Sequence, residues 1–95
     1  MNRFLVIGFN FRNSKFHALI LCKAVSNGFE YRITVMHGEI EKQLCSDNII
    51  REVNGCLQFE LSNNELQNEI KAEIAIILGQ KLGKPIAVAR DIAFV

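Results

Sequence analysis

Residues 62–85, SNNELQNEIKAEIAIILGQKLGKP, decide the fold, because they carry the one long helical pattern in a chain otherwise patterned as strands. Leu66, Ile70, Ile74, Ile77, Leu78 and Leu82 recur at three- and four-residue intervals, which places them along one stripe of a helix. Ser62 followed by Glu65 has the form of a capping box. Glu65, Glu69 and Glu73 lie towards the positive end of the helix dipole, with Lys81 and Lys84 at the other. Gly83 and Pro85 then close the helix and prevent its continuation. The spacing predicts a helix over residues 63–82.

Upstream, Asn54-Gly55 separates 49–53 from 56–61 and has the two-residue type I′ signature, pairing Val53 with Cys56 and Ile50 with Phe59. Another hairpin is marked by Ser26-Asn27-Gly28 between 15–25 and 29–37. Two registers compete there. A two-residue Asn27-Gly28 loop sets Lys23 against Arg32, a like-charge pair that costs stability. A three-residue loop, with Gly28 left-handed, sets Lys23 against Tyr31, Leu21 against Ile33, Leu19 against Val35 and His17 against His37. The second gathers the large apolar residues on one face and is the preferred register. Residues 3–11 are apolar on both alternating faces, as a covered strand would be. In 38–47, Ile40 and Leu44 four apart favour a short helix over an edge strand. Residues 86–95 can return as a last strand.

The whole, residues 1–95, is expected to be a single α+β domain. It would be a mostly antiparallel sheet of five or six strands packed on one long C-terminal helix, in the order β-ββ-(short α)-ββ-α-β.

Composition narrows the function classes. The chain is 49% hydrophobic and 22% charged with one proline, which excludes a disordered or low-complexity protein. No apolar run reaches the length of a membrane helix, and Asn10 and Arg12 interrupt the apolar start before a signal sequence could form. Cys22, Cys45 and Cys56 are odd in number and lack C-x-x-C spacing, which fits thiols in a reducing, cytoplasmic compartment. The net charge of +1 divides into +4 over residues 1–29, −5 over 30–76 and +2 thereafter. An acidic middle argues against long contact with nucleic acid and favours a protein partner.

The sequence carries more apolar strand than one amphipathic helix can shelter. Ile74-Ala75-Ile76-Ile77-Leu78 is apolar all round, and Gly79 invites the close approach of another backbone. A small monomer rarely leaves such surface in water, so the expectation is a homodimer, with room for one further protein partner. Phe9, Phe11, Phe16, Ala75, Ile76 and Gly79 are the residues expected at the interface.

Chemical motifs are sparse. His17 and His37 form a weak metal pair without a third ligand, so no metal or cofactor is expected. A thiol enzyme would need Cys22 or Cys45 as a thiolate beside a base. Cys22 set among alanine and isoleucine reads instead as a small hydrophobe. Arg12, Lys15 and Lys23 interleaved with Phe9, Phe11 and Phe16 offer a stacking platform for single-stranded nucleic acid, against the plainer alternative of core rings with a charged rim. The glycines are dispersed and make no phosphate loop. The balance favours a small, non-enzymatic, self-associating interaction module.

Overall fold

Three tight turns shape the sheet. In the computed structural model, which describes residues 3–44 and 48–87, Arg12 and Asn13 both take positive φ, 49° and 67°. That is the type I′ pattern, whose twist matches the strands it joins. It links β1 (Arg3–Phe11) to β2 (Ser14–Val25) with Phe11 opposite Ser14. Asn54 and Gly55 repeat the pattern at φ 54° and 81°, joining β4 (Ile49–Val53) to β5 (Cys56–Gln58) with Val53 opposite Cys56, as the sequence predicts.

The middle turn differs from the expectation. Val25 stands opposite Gly28, so the loop is Ser26-Asn27 and β3 (Gly28–Val35) begins at the glycine. Gly28 has φ 152°, and a Cβ there would overlap the Glu52 carbonyl oxygen of β4. The glycine admits a neighbouring strand; it does not close the loop. The resulting register pairs Lys23 with Glu30, Cys22 with Tyr31, Ile20 with Ile33 and Ala18 with Val35. Because side chains alternate, this one-residue shift from the preferred register turns Ala18, Ile20 and Cys22 inward and Leu19 and Leu21 outward. His17 and His37 are not opposite one another.

The five strands form one antiparallel sheet in the order β1-β2-β3-β4-β5. The expected short helix is present as α1 (Gly38–Leu44), between β3 and β4. Its Glu41 carboxylate accepts from the Val35 N–H at 2.8 Å, and Ile40 and Leu44 enter the core. The long helix, α2 (Glu65–Leu82), starts two residues later than expected. Its cap is Asn64, whose Oδ1 accepts from the N–H groups of Leu66 and Gln67 at 2.9 and 3.1 Å. Ser62 is engaged elsewhere: its N–H donates to Asn68 Oδ1 at 2.9 Å, and its carbonyl accepts from Asn68 Nδ2 at 3.0 Å. Gly83, at φ 67°, ends the helix in the left-handed conformation.

Ile70, Ile74 and Leu78 of α2 are fully buried against Ile7, Phe9, Ile20, Ile33, Ile50 and Leu57 on the inner face of the sheet. Beyond α2 the chain turns back along β5. The Leu57 N–H donates to the Pro85 carbonyl at 2.8 Å, and the Ala87 N–H donates to the Leu57 carbonyl at 2.7 Å. Leu57 and Ile86 form a parallel bridge. Of the expected last strand, only this isolated bridge at Ile86 is seen, and residues 88–95 lie outside the described residues.

Candidate functional site

Four of the six residues expected at an interface are inside the protomer. Phe9, Phe11 and Ala75 are buried in the core. Gly79 is buried because its own chain crosses it: a Cβ would lie 2.9 Å from the Lys84 carbonyl oxygen and 3.6 Å from both Ile86 and Leu57. The close backbone approach anticipated at this glycine is intramolecular. Phe16 is half-buried, its ring 6.0 Å from Phe9 and edge-on to His37 at 4.9 Å. Only Ile76 is well exposed. With Phe9 and Phe11 buried, these rings are not presented as a stacking platform. Arg12 is committed to Glu69 of α2, Nη2 to Oε1 at 3.2 Å, with its guanidinium 5.2 Å from the Phe11 ring centroid.

His17 lies beside Gly8 on the outer face of the sheet, while His37 packs on Phe16. Among the described residues, no group of three or more His, Cys, Asp or Glu could hold a metal ion. Burial pushes the Cys22 thiol above its ordinary pKa, with Arg3 only partly offsetting this, so it keeps its proton at neutral pH. Cys45 lies outside the described residues.

Two other places stand out, and neither rests on a motif. The first is the outer side of β1. On the outer face Phe4 stands opposite Leu21 and Val6 opposite Leu19, with Phe4 62% and Val6 56% exposed. The far edge of β1 is also free of any strand among the described residues. The direction of its backbone groups follows from β2. The His17 carbonyl accepts from the Met36 N–H at 2.8 Å, so His17 turns its backbone away from β1. Its partner Gly8 must then face away from β2, and alternation along the strand gives Phe4, Val6 and Asn10 the same direction. These four residues offer a row of N–H and C=O groups at the open edge. No charge, proline or bulge interrupts Phe4 to Phe9.

The second place is a cavity of about 380 Å³ between the inner face of the sheet and the end of α2, bordered by Arg3, Phe29, Tyr31, Glu52, Leu82 and Lys84. Gly28 lets β4 approach closely enough to bring Glu52 beside Tyr31. The Tyr31 hydroxyl donates to Glu52 Oε1 at 2.6 Å, and Lys84 Nζ lies 3.2 Å from Oε2. The tyrosine hydrogen bond holds the Glu52 carboxyl below the usual range despite its burial, with Lys84 adding to the effect. Burial first, and then the Glu52 carboxylate, push the Tyr31 phenol far up. At neutral pH the phenol is therefore neutral and the Glu52 carboxyl ionised. The cavity also takes in Cys22 and Ala24, from the same inward row of β2.

Sequence reasoning missed both places. Ile50 and Glu52, two apart in a strand and therefore on one face, were the available signal for a buried charge. Comparison of the chain with protein-family models, curated proteins and solved structures finds no match.

Proposed function

We propose that this chain is a non-enzymatic, self-associating module in which two copies join along the open edge of β1. The observation that supports it is a nine-residue edge strand whose outer side meets no strand among the described residues, together with exposed Phe4 and Val6 on that strand. A strand edge is self-complementary: a two-fold axis places its N–H groups opposite the same strand's carbonyls, so a second copy of this chain satisfies it. The union extends the sheet and sets Phe4 and Val6 of one copy beside those of the other. A reducing, cytoplasmic setting belongs to the same proposal, in keeping with the free thiols of Cys22 and Cys56. No helix among the described residues is long and apolar enough to cross a membrane.

Sedimentation over a wide concentration range, with amide hydrogen exchange at both ends of it, tests the proposal. The expected result is a monomer–dimer equilibrium in which the amides of Phe4, Val6, Gly8 and Asn10 gain protection in the dimer. A monomer at every concentration overturns self-association. A dimer in which these four amides still exchange freely overturns the edge as its seat.

A further inference from the structure

Independently of self-association, we propose that the cavity between the inner sheet face and the end of α2 binds a small organic monoanion, a carboxylate carried on a flat apolar body. The volume, about 380 Å³, falls at the small end of the range for organic ligand sites and suits a molecule of one or two rings. Charge sets the sign of the ligand. Among the described residues, two cations, Arg3 and Lys84, and one anion, Glu52, border the cavity. Glu52 has both oxygens occupied, one by the Tyr31 hydroxyl and one by Lys84. Arg3 has no hydrogen bond or ion pair among the described residues, so one positive charge is left over. Its guanidinium offers paired parallel donors, the geometry that a carboxylate accepts with both oxygens. Lys84 keeps further donors beyond the one given to Glu52.

Shape sets the body. Phe29 is 41% exposed, and its ring lies 6.3 Å from that of Tyr31 at an interplanar angle of 28°. A flat group laid on Phe29 would extend this stack. Ala24 and Leu82 supply further apolar surface. Inorganic phosphate fits less well, because its second charge exceeds the single excess positive charge and it leaves Phe29 uncovered.

The test is a titration of the full chain with naphthoate, followed by amide NMR, with neutral naphthamide and inorganic phosphate as comparators. Expected are saturable shifts at Arg3, Cys22, Phe29 and Tyr31 with naphthoate and none with naphthamide. Arg3→Gln should weaken naphthoate binding by about tenfold or more, as loss of a charge-assisted pair does, and Arg3→Lys by less. The melting temperature should hold, since Arg3 supports no other described side chain. Phe29→Leu provides a second reading, lowering affinity through the stacking surface alone. The proposal falls if naphthoate gives no saturable shift, if naphthamide binds equally, if phosphate alone binds, or if both Arg3→Gln and Phe29→Leu bind as tightly as the parent.

Discussion

The two edges of the sheet are treated differently. β5 is three residues long, and its outer side is taken by the chain's own return, with Pro85 and Ala87 bonded to Leu57. β1 is nine residues long, its outer side meets no strand among the described residues, and its exposed residues there include a phenylalanine and a valine. Open edges invite pairing with other chains, and folds ordinarily blunt them with charge, proline, bulges or a covering segment. Here the cover sits on the short edge, and among the described residues the long one has none of these devices between Phe4 and Phe9. A sheet that needed only to avoid sticking would protect its longer edge first. The proposed pairing through β1 rests on this contrast.

The largest effect expected from breaking this contrast comes from moving a proline by one residue. Ile7 directs its N–H to β2 and is fully buried, so Ile7→Pro removes a ladder bond and a core side chain together, at a cost of about 3 kcal/mol or more. Val6 directs its N–H outward, where proline is tolerated on an edge strand. Val6→Pro should leave the urea midpoint nearly unchanged and weaken self-association by about tenfold or more. Equal loss of stability in the two variants would refute the backbone phase assigned to β1.

Next in size is the closed edge. Gly79→Val drives a side chain into the Lys84 carbonyl and the Ile86 and Leu57 side chains, forcing the return segment away from β5. Overpacking of this kind costs about 1–3 kcal/mol, visible in urea unfolding. Association through β1 should persist. A variant as stable as the parent would show that Gly79 does not govern the closure of β5.

Acid should loosen the closed edge selectively, because Lys84, which adjoins the return segment, is paired with Glu52. The folded-state pKa of Glu52 lies below its unfolded value. Its ionised form therefore stabilises the fold above the unfolded value, and that contribution is lost as pH falls through the folded one. Hydrogen exchange at Leu57 and Ala87 should accelerate in that acidic window more than exchange within the β1–β2 ladder. In Glu52→Gln this difference should vanish. A difference that survived the substitution would mean another group is responsible.

What was legible in the sequence was local. The α+β class, α1, the Asn54-Gly55 turn and the glycine end of α2 each depend on a few neighbouring residues, and each is found. The register of β2 on β3 was not legible, because Gly28 is required by the Glu52 carbonyl, 24 positions further along a different strand. The cap of α2 falls to Asn64 because Asn68 engages the backbone of Ser62 on both sides. The apolar excess is visible in the sequence, but four of the six residues it points to, Phe9, Phe11, Ala75 and Gly79, are buried within the protomer. The inner face takes Phe9, Phe11 and Ala75, while the one-residue shift turns Leu19 and Leu21 to the face they share with Phe4 and Val6. Arg3, Glu52 and Lys84 come from three distant segments, and only Glu52, on an inward strand face, left a trace of its role.

The smallest effect is expected at Ile76, the one of the six expected interface residues that is well exposed. It stands 44% exposed on the far side of α2, with Glu73 and Gln80 three and four residues away and buried residues on the opposite stripe. Ile76→Glu adds a carboxylate near Glu73 and in the C-terminal half of the helix, where the dipole opposes it; the two effects amount to a few tenths of a kcal/mol. Unfolding should shift by no more than about 0.5 kcal/mol, and the sedimentation profile should match the parent. If Ile76→Glu instead separates the copies as thoroughly as Val6→Pro, association runs through the helix. The open edge of β1 would then need a different partner to explain it.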